Sequence, residues 1–151
     1  MIERKNYLEK LIAWKDEKVI KVVTGIRRCG KSTLLNLYKG YLKKNGVEDG
    51  QIVAVNFEDL ENEALQDYKA LYAYLSDRLC HGKMTYIFLD EIQKVEGFEK
   101  VADSLYIKEN VDVYMTGSNS WLLSGEPATL LSGRYIEIKM LPFSFAEFYV
   151  S

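Results

Sequence analysis

The feature that most constrains this chain is an octapeptide, GIRRCGKS, at residues 25–32. It matches the G-x-x-x-x-G-K-[ST] pattern of a phosphate-binding loop at every fixed position. A β-branched segment, 19–24, precedes it, and a helical segment, 31–44, follows it. Such a loop needs this context, because its backbone N–H groups form an anion nest at a helix N-terminus. The pattern therefore predicts an α/β fold with a phosphate site.

The residue types of the loop explain how it would hold a nucleotide. Glycines at both ends allow phosphate oxygens to reach the backbone, Lys31 places a charge on the β- and γ-phosphates, and Ser32 gives an oxygen to Mg²⁺. Arg27 and Arg28 either touch the nucleotide or face solvent. The predicted binding set is Gly25, Ile26, Arg27, Arg28, Cys29, Gly30, Lys31, Ser32 and Thr33.

Apolar segments and helical patterns alternate along the whole chain. Strands are predicted at 19–24, 51–57, 85–90, 111–116 and 135–140, and helices at 3–14, 31–44, 67–79 and 99–109. This alternation indicates βαβ units and a three-layer sandwich. We expect one domain over residues 1–151. Residues 141–151 are interpreted as a turn and the start of a helix, which either docks on the core or leads to a further domain.

A second signal is an apolar strand, 85–90, that ends in the carboxylate pair Asp90 and Glu91. Alone, such a pair is an ordinary polar strand end. Beside a phosphate-binding loop, it predicts that Asp90 and Ser32 hold Mg²⁺ and that Glu91 deprotonates the attacking water. In the order of the sequence, one strand, 51–57, lies between the loop strand and this strand. The branch of P-loop proteins that hydrolyses ATP with a glutamate base has the same arrangement. No Asn-Lys-x-Asp segment supports guanine specificity.

The sequence resembles the AAA-superfamily ATPases, and more closely the predicted bacterial and archaeal ATPases in which a nuclease-like domain of unknown function follows the P-loop domain. The matching stretches are VVTGIRRCGKSTLL at 22–35, IFLDEIQKVEGFEK at 87–100, VYMTGSNSWLL at 113–123 and LLSGRYIEIKMLPFSFAEF at 130–148. The resemblance implies a five-stranded parallel sheet in the order 5-1-4-3-2. It also implies an AAA-like core whose usual helical lid has no counterpart in this sequence.

The resemblance also implies roles for further residues. Ser118 or Asn119 matches the sensor position at the γ-phosphate, although the pair also fits a plain turn or helix cap. Arg134 looks like the arginine before the fifth strand that acts on a neighbouring subunit's ATP, but it also fits a surface ion pair. Asn56 sits where a polar residue can restrain the catalytic glutamate. The expected catalytic set is Glu91, Lys31, Arg134, Ser118 and Asn119.

The favoured function is Mg²⁺-dependent ATP hydrolysis that works as a switch or motor for an attached effector domain or a partner. A nucleotide-gated interaction module and a small-molecule kinase remain alternatives. The net charge of −2 gives no support to a nucleic-acid partner. The charged N-terminus and the absence of a long apolar run argue against a signal peptide or membrane span. Cys29 and Cys80 lack disulfide or zinc spacing, so we expect a cytoplasmic protein.

Overall fold

The computed structural model describes residues 2–25, 30–118 and 134–140, with the side chains of the first helix from Asn6 onward. The helices and strands are α1 (Ile2–Ala13), β1 (Ile20–Thr24), α2 (Lys31–Lys44), β2 (Ile52–Asn56), α3 (Tyr68–Ser76), β3 (Thr85–Asp90), α4 (Phe98–Tyr106), β4 (Val111–Gly117) and β5 (Tyr135–Lys139). Short 3-10 turns lie at Asp49–Gln51, Leu60–Gln66 and Ile92–Lys94.

The five strands form one parallel sheet in the order β2-β3-β4-β1-β5. This is the expected order 5-1-4-3-2 read from the other edge, so the predicted fold class is confirmed. Each strand begins and ends within one residue of its predicted bounds. The agreement follows from burial, because β1 and β3 are buried along their whole length and are therefore mostly apolar.

Helices cover both faces of the sheet and create two apolar layers. On the face with α3 and α4, alternate strand residues pack with those helices; they include Val22, Val55, Ile87, Leu89, Val113 and Met115. On the face with α1 and α2, the other alternate residues are buried; they include Val23, Phe88, Tyr114 and Ile138. The period of two along each strand thus divides the core into two halves.

The helix ends differ from the sequence expectation where capping decides them. The predicted helix 67–79 begins one residue later, at Tyr68, because Asp67 is its N-cap and accepts a hydrogen bond from Ala70 N at 3.0 Å. It ends at Ser76, and the predicted helix 99–109 ends at Tyr106. The helix expected within 141–151 lies outside the described residues.

A polar cluster is buried in the layer under α2. The Lys21 ammonium on β1 donates to Asp112 on β4 at 2.5 Å, and both side chains are almost completely inaccessible. Tyr114 donates its hydroxyl to the same carboxylate at 2.7 Å, and its oxygen lies 2.5 Å from that of Tyr38 on α2. Burial raises the pKa of the Asp112 carboxyl despite the nearby ammonium. The cluster ties three elements together inside an apolar layer.

The parallel sheet brings the carboxyl ends of its strands to one edge. Because the strands run in the same direction, the carboxyl ends of β1, β2, β3 and β4 meet there, next to the N-terminus of α2. Ligands of such sheets bind at this edge. None of the described helices has the length and apolar character that a membrane crossing requires.

Candidate functional site

The described part of the phosphate-binding loop has the backbone that the motif requires. Gly25 follows β1 and is buried, and Gly30 begins α2 with a φ of 99°, in the left-handed region that favours glycine. Ile26, Arg27, Arg28 and Cys29 lie outside the described residues. Lys31 is 4% exposed and its Nζ donates to Gly25 O at 2.8 Å. The lysine side chain therefore points back to the residue at which the loop begins.

Ser32 and Asp90 meet at the strand edge, as the sequence predicted. Ser32 Oγ lies in the first turn of α2 and donates to Asp90 Oδ2 at 2.5 Å. Asp90 ends β3 and is 8% exposed, whereas Ser32 and Thr33 are open to solvent. A hydroxyl and a carboxylate are hard oxygen donors that suit Mg²⁺. In the described part of the chain, no three His, Cys, Asp or Glu side chains cluster to hold a metal alone. Phosphate oxygens and waters would have to complete the shell.

Glu91, the residue after Asp90, has an unusual backbone. Its φ of 60° and ψ of 51° place it in the left-handed region, which costs a non-glycine residue of order 1 kcal/mol or more. Glu91 Oε2 lies 3.5 Å from Lys31 Nζ, and Glu91 Oε1 accepts from Gln93 Nε2 at 2.7 Å. The carboxylate is thus held beside the lysine that the phosphates would contact.

Thr116 on β4 joins the two carboxylate residues, and the sequence reasoning missed it. Its hydroxyl donates to Asp90 Oδ1, and its oxygen accepts from Glu91 N at 2.8 Å. Thr116 is completely buried. One hydroxyl therefore orients the Asp90 carboxylate and supports the strained Glu91 backbone. The signal that could have found it is register, because Thr116 is the next residue of β4 after the Leu89–Met115 pair and so lies opposite Asp90.

Comparison with known proteins agrees with this geometry. Residues 17–149 match a family described as an AAA domain. The chain belongs to this AAA domain family. The match covers the loop, the carboxylate pair and all five strands, and it indicates a nucleotide-binding domain of the ATPase type.

Two relatives share much of the sequence. An uncharacterized protein of Haemophilus influenzae is 46% identical over 149 residues, which cover 98% of this chain and 37% of that protein. The uncharacterized protein MJ1544 of Methanocaldococcus jannaschii is 37% identical over 131 residues, which cover 85% of this chain and 28% of that protein. The AAA domain thus spans about a third of the length of these relatives.

Solved structures with low sequence identity share the fold. A DNA polymerase III gamma subunit-related protein from Thermotoga maritima superposes with a TM-score of 0.65 at 12% identity, covering 93% of this chain and 48% of that one. A chain from Drosophila ORC bound to DNA gives a TM-score of 0.61 at 12% identity, covering 93% of this chain and 90% of that one. At this identity the likeness establishes the AAA-type architecture alone.

The resemblance also implies a sensor at Ser118 or Asn119 and a polar restraint on Glu91 from Asn56. Ser118 follows β4 at the carboxyl ends of the strands and is half-buried, whereas Asn119 lies outside the described residues. The sensor role stays a prediction. Asn56 lies in register with Asp90, but its Oδ1 accepts from Glu58 N at 3.0 Å. Within the described part of the chain, the amide that contacts Glu91 is that of Gln93.

Arg134 lies at the amino ends of the strands, on the side of the sheet away from the Ser32–Asp90 pair. It directly precedes β5, whose first residue pairs with Ile20 at the start of β1. The loop follows the other end of β1, about 13 Å away at the usual rise of a strand. The Arg134 guanidinium forms an ion pair with Asp103 and lies 5.5 Å from the ring centre of Tyr106. Arg134 is therefore far from its own loop, and its role in trans stays a prediction.

A polar cleft of about 300 Å³ opens beside the Ser32–Asp90 pair. Burial lowers the pKa of the Lys39 ammonium on its α2 wall. The cleft gives solvent a path to the two oxygen donors. Its other lining residues include Asn36, Asn56, Asp59, Asn62 and Phe88.

Proposed function

We propose that this AAA domain binds ATP together with Mg²⁺ and hydrolyses its γ-phosphate. The observation that carries the proposal is the contact of Ser32 with Asp90 at 2.5 Å, next to the ion pair of their chain neighbours Lys31 and Glu91. Four residues from two distant chain segments thus supply the cation, the metal-binding oxygens and the base that the reaction needs.

Each residue of the site has a distinct task in this proposal. Lys31 binds the β- and γ-phosphate oxygens and leaves its present partners, Gly25 O and Glu91 Oε2, to do so. Ser32 and Asp90 would hold Mg²⁺, which when bound supplies charge neutralisation on the phosphates. Glu91 accepts a proton from the attacking water. Ser118 or Asn119, which follow β4 in sequence, would bind the γ-phosphate.

The same contacts favour hydrolysis over the two alternatives. Backbone strain persists only where the surroundings maintain it, and strained residues cluster at active sites. The strained glutamate beside the metal-binding pair therefore favours turnover over an interaction module. A small-molecule kinase needs a site for an acceptor hydroxyl. The polar cleft is close enough to admit one, so ATP turnover measured with and without added acceptor separates the two reactions.

We further propose that hydrolysis drives a switch or motor whose output lies in an attached effector domain or a protein partner, in the cytoplasm. The relatives are about three times as long as the matched region, which leaves room for such a domain. In this proposal Arg134, which is remote from its own loop, acts on the ATP of a neighbouring copy. The Drosophila ORC structure contains DNA, whereas the net charge of −2 offers this chain no general attraction to nucleic acid.

The test is ATP binding and phosphate release by the wild type and matched variants at varied Mg²⁺. Lys31→Ala should abolish tight ATP binding. Glu91→Gln should keep binding and lose about 10²–10⁴-fold in turnover, because it removes the base and leaves the metal-binding oxygens. Lys43, on the same helix as Lys31, forms an exposed ion pair with Asp49 of the following turn; Lys43→Ala is the control and should behave as the wild type. Turnover by Glu91→Gln at the wild-type rate would refute the assignment of the base.

A further inference from the structure

The two oxygens of Glu91 have partners of different kinds. Oε2 lies 3.5 Å from the Lys31 ammonium, and Oε1 accepts from the Gln93 amide at 2.7 Å. The ammonium belongs to the residue that would contact the phosphates. The amide belongs to the turn that follows β3. The carboxylate is thus shared between one partner that a nucleotide would remove and one that it would leave.

The contact between Glu91 and Gln93 depends on the left-handed backbone of Glu91. Side chains two residues apart point in different directions in a helix. At Glu91 the φ of 60° turns the chain, so that the 3-10 turn Ile92–Lys94 begins there and carries Gln93 back over the carboxylate. Ile92 and Val95 are 1% exposed and anchor the turn in the core. Gln93 is therefore held in place by its neighbours on both sides.

The orientation of the Gln93 amide follows from charge. Its nitrogen must face Glu91, because the amide oxygen would be repelled by the carboxylate. Gln93 Oε1 is buried, and no donor among the described residues reaches it. The amide thus donates one hydrogen bond to Glu91 Oε1 and directs its acceptor away from the carboxylate. This arrangement fixes Glu91 Oε1 as the bonded oxygen.

We infer that Gln93 is a positioning residue that reserves Glu91 Oε2 for the attacking water, an inference that rests on the proposed function. When Lys31 moves to the phosphates, Oε2 loses its partner while Oε1 keeps the bond to Gln93. The free oxygen then takes one proton from the water as the water oxygen bonds to the γ-phosphorus. The bond from that phosphorus to the bridging oxygen breaks, and its electron pair leaves with ADP. Gln93 itself touches neither water nor phosphate.

The decisive variant is Gln93→Met in the full-length protein, since methionine keeps the length of glutamine and lacks the donor. Turnover at saturating ATP should fall about 10- to 100-fold, the effect of one hydrogen bond to a charged group. The dissociation constant for ATP·Mg²⁺ should stay within about twofold, because Gln93 contacts no phosphate-binding group. Lys94→Met, in the same turn but exposed, should leave both quantities unchanged.

A double-mutant cycle separates positioning from a structural role. In a Glu91→Gln background, Gln93→Met should produce no further loss in single-turnover hydrolysis, because the group through which it acts is already gone. An equal loss in both backgrounds would overturn the inference. Gln93→Glu, which keeps the shape and places a second carboxylate beside Glu91, should lose at least as much as Gln93→Met; wild-type turnover in either variant would also overturn it. If the wild type itself hydrolyses no ATP, the proposed function fails instead.

Discussion

Replacing Thr116 with valine tests whether one buried hydroxyl supports both site carboxylates. Valine has nearly the same shape, so the change removes the oxygen and leaves the packing. Two hydrogen bonds are lost: one to the Asp90 carboxylate, worth about 1.5–3 kcal/mol, and one from Glu91 N, worth about 0.5–1.5 kcal/mol. Both partners stay in the protein, and Asp90 is buried. The free energy of unfolding should therefore fall by about 2–4 kcal/mol.

Thr85→Val is the matched control. Thr85 is also completely buried in the sheet, but at the far end of β3, where its Oγ1 accepts a single hydrogen bond from Cys80 N at 2.8 Å. We expect a loss of about 1 kcal/mol and unchanged turnover. Urea unfolding followed by circular dichroism measures the free energy of unfolding of both variants. At a typical dependence of that free energy on urea, the midpoint of the Thr116 variant should lie about 1–2 M below that of the wild type.

Function should separate the two threonines as well. Without Thr116 the Glu91 amide loses its support, and a displaced base costs about 10²-fold in turnover. Equal stability of the two variants, together with full turnover by Thr116→Val, would refute the reasoning.

Two further predictions concern charged residues away from the carboxyl ends of the strands. Lys21→Met leaves Asp112 buried without its ammonium and should cost about 3–5 kcal/mol in urea unfolding, whereas Lys21→Met with Asp112→Leu should recover most of it. Burial raises the pKa of the Asp112 carboxyl in the folded protein, so this carboxyl takes up a proton more readily there than in the unfolded chain. The loss of unfolding free energy in Lys21→Met should therefore be smaller near about pH 5 than near about pH 8. A loss that does not change with pH would contradict this. Arg134→Ala should remove any rise of specific activity with protein concentration, measured over a wide range; turnover that is independent of concentration in both proteins would show that the arginine is structural.

The fold followed from the sequence because its determinants are local. The loop pattern fixes a strand before Gly25 and a helix after it, and burial on both faces makes β3 a nearly continuous apolar run. The meeting of Ser32 with Asp90 was also predictable, since carboxyl ends of parallel strands share an edge. The strand order placed β1 beside β4, and with it the charged residues Lys21 and Asp112, each inside an apolar strand, came within reach of each other.

The parts of the site that escaped prediction depend on geometry rather than residue type. Thr116 acts through the register of β4 against β3, which no local pattern encodes. Gln93 acts because Glu91 has a positive φ, and a glutamate gives no sign of that in a sequence. The 3-10 segment Leu60–Gln66 has no buried residue and hence no apolar period to detect.

The position of β1 at the interior of the sheet has a consequence for how the chain folds during synthesis. β1 is translated before the other strands, yet its neighbours are β4 and β5, the last two. Lys21 pairs with Tyr114, a separation of about 90 residues, which takes roughly 5–20 s at the usual rate of translation. During that interval Val22 and Val23, which are completely buried in the folded domain, have no strand beside them. The early half of the domain therefore waits as exposed apolar chain, and the slow closing of these distant pairs sets the window in which a chaperone could bind it.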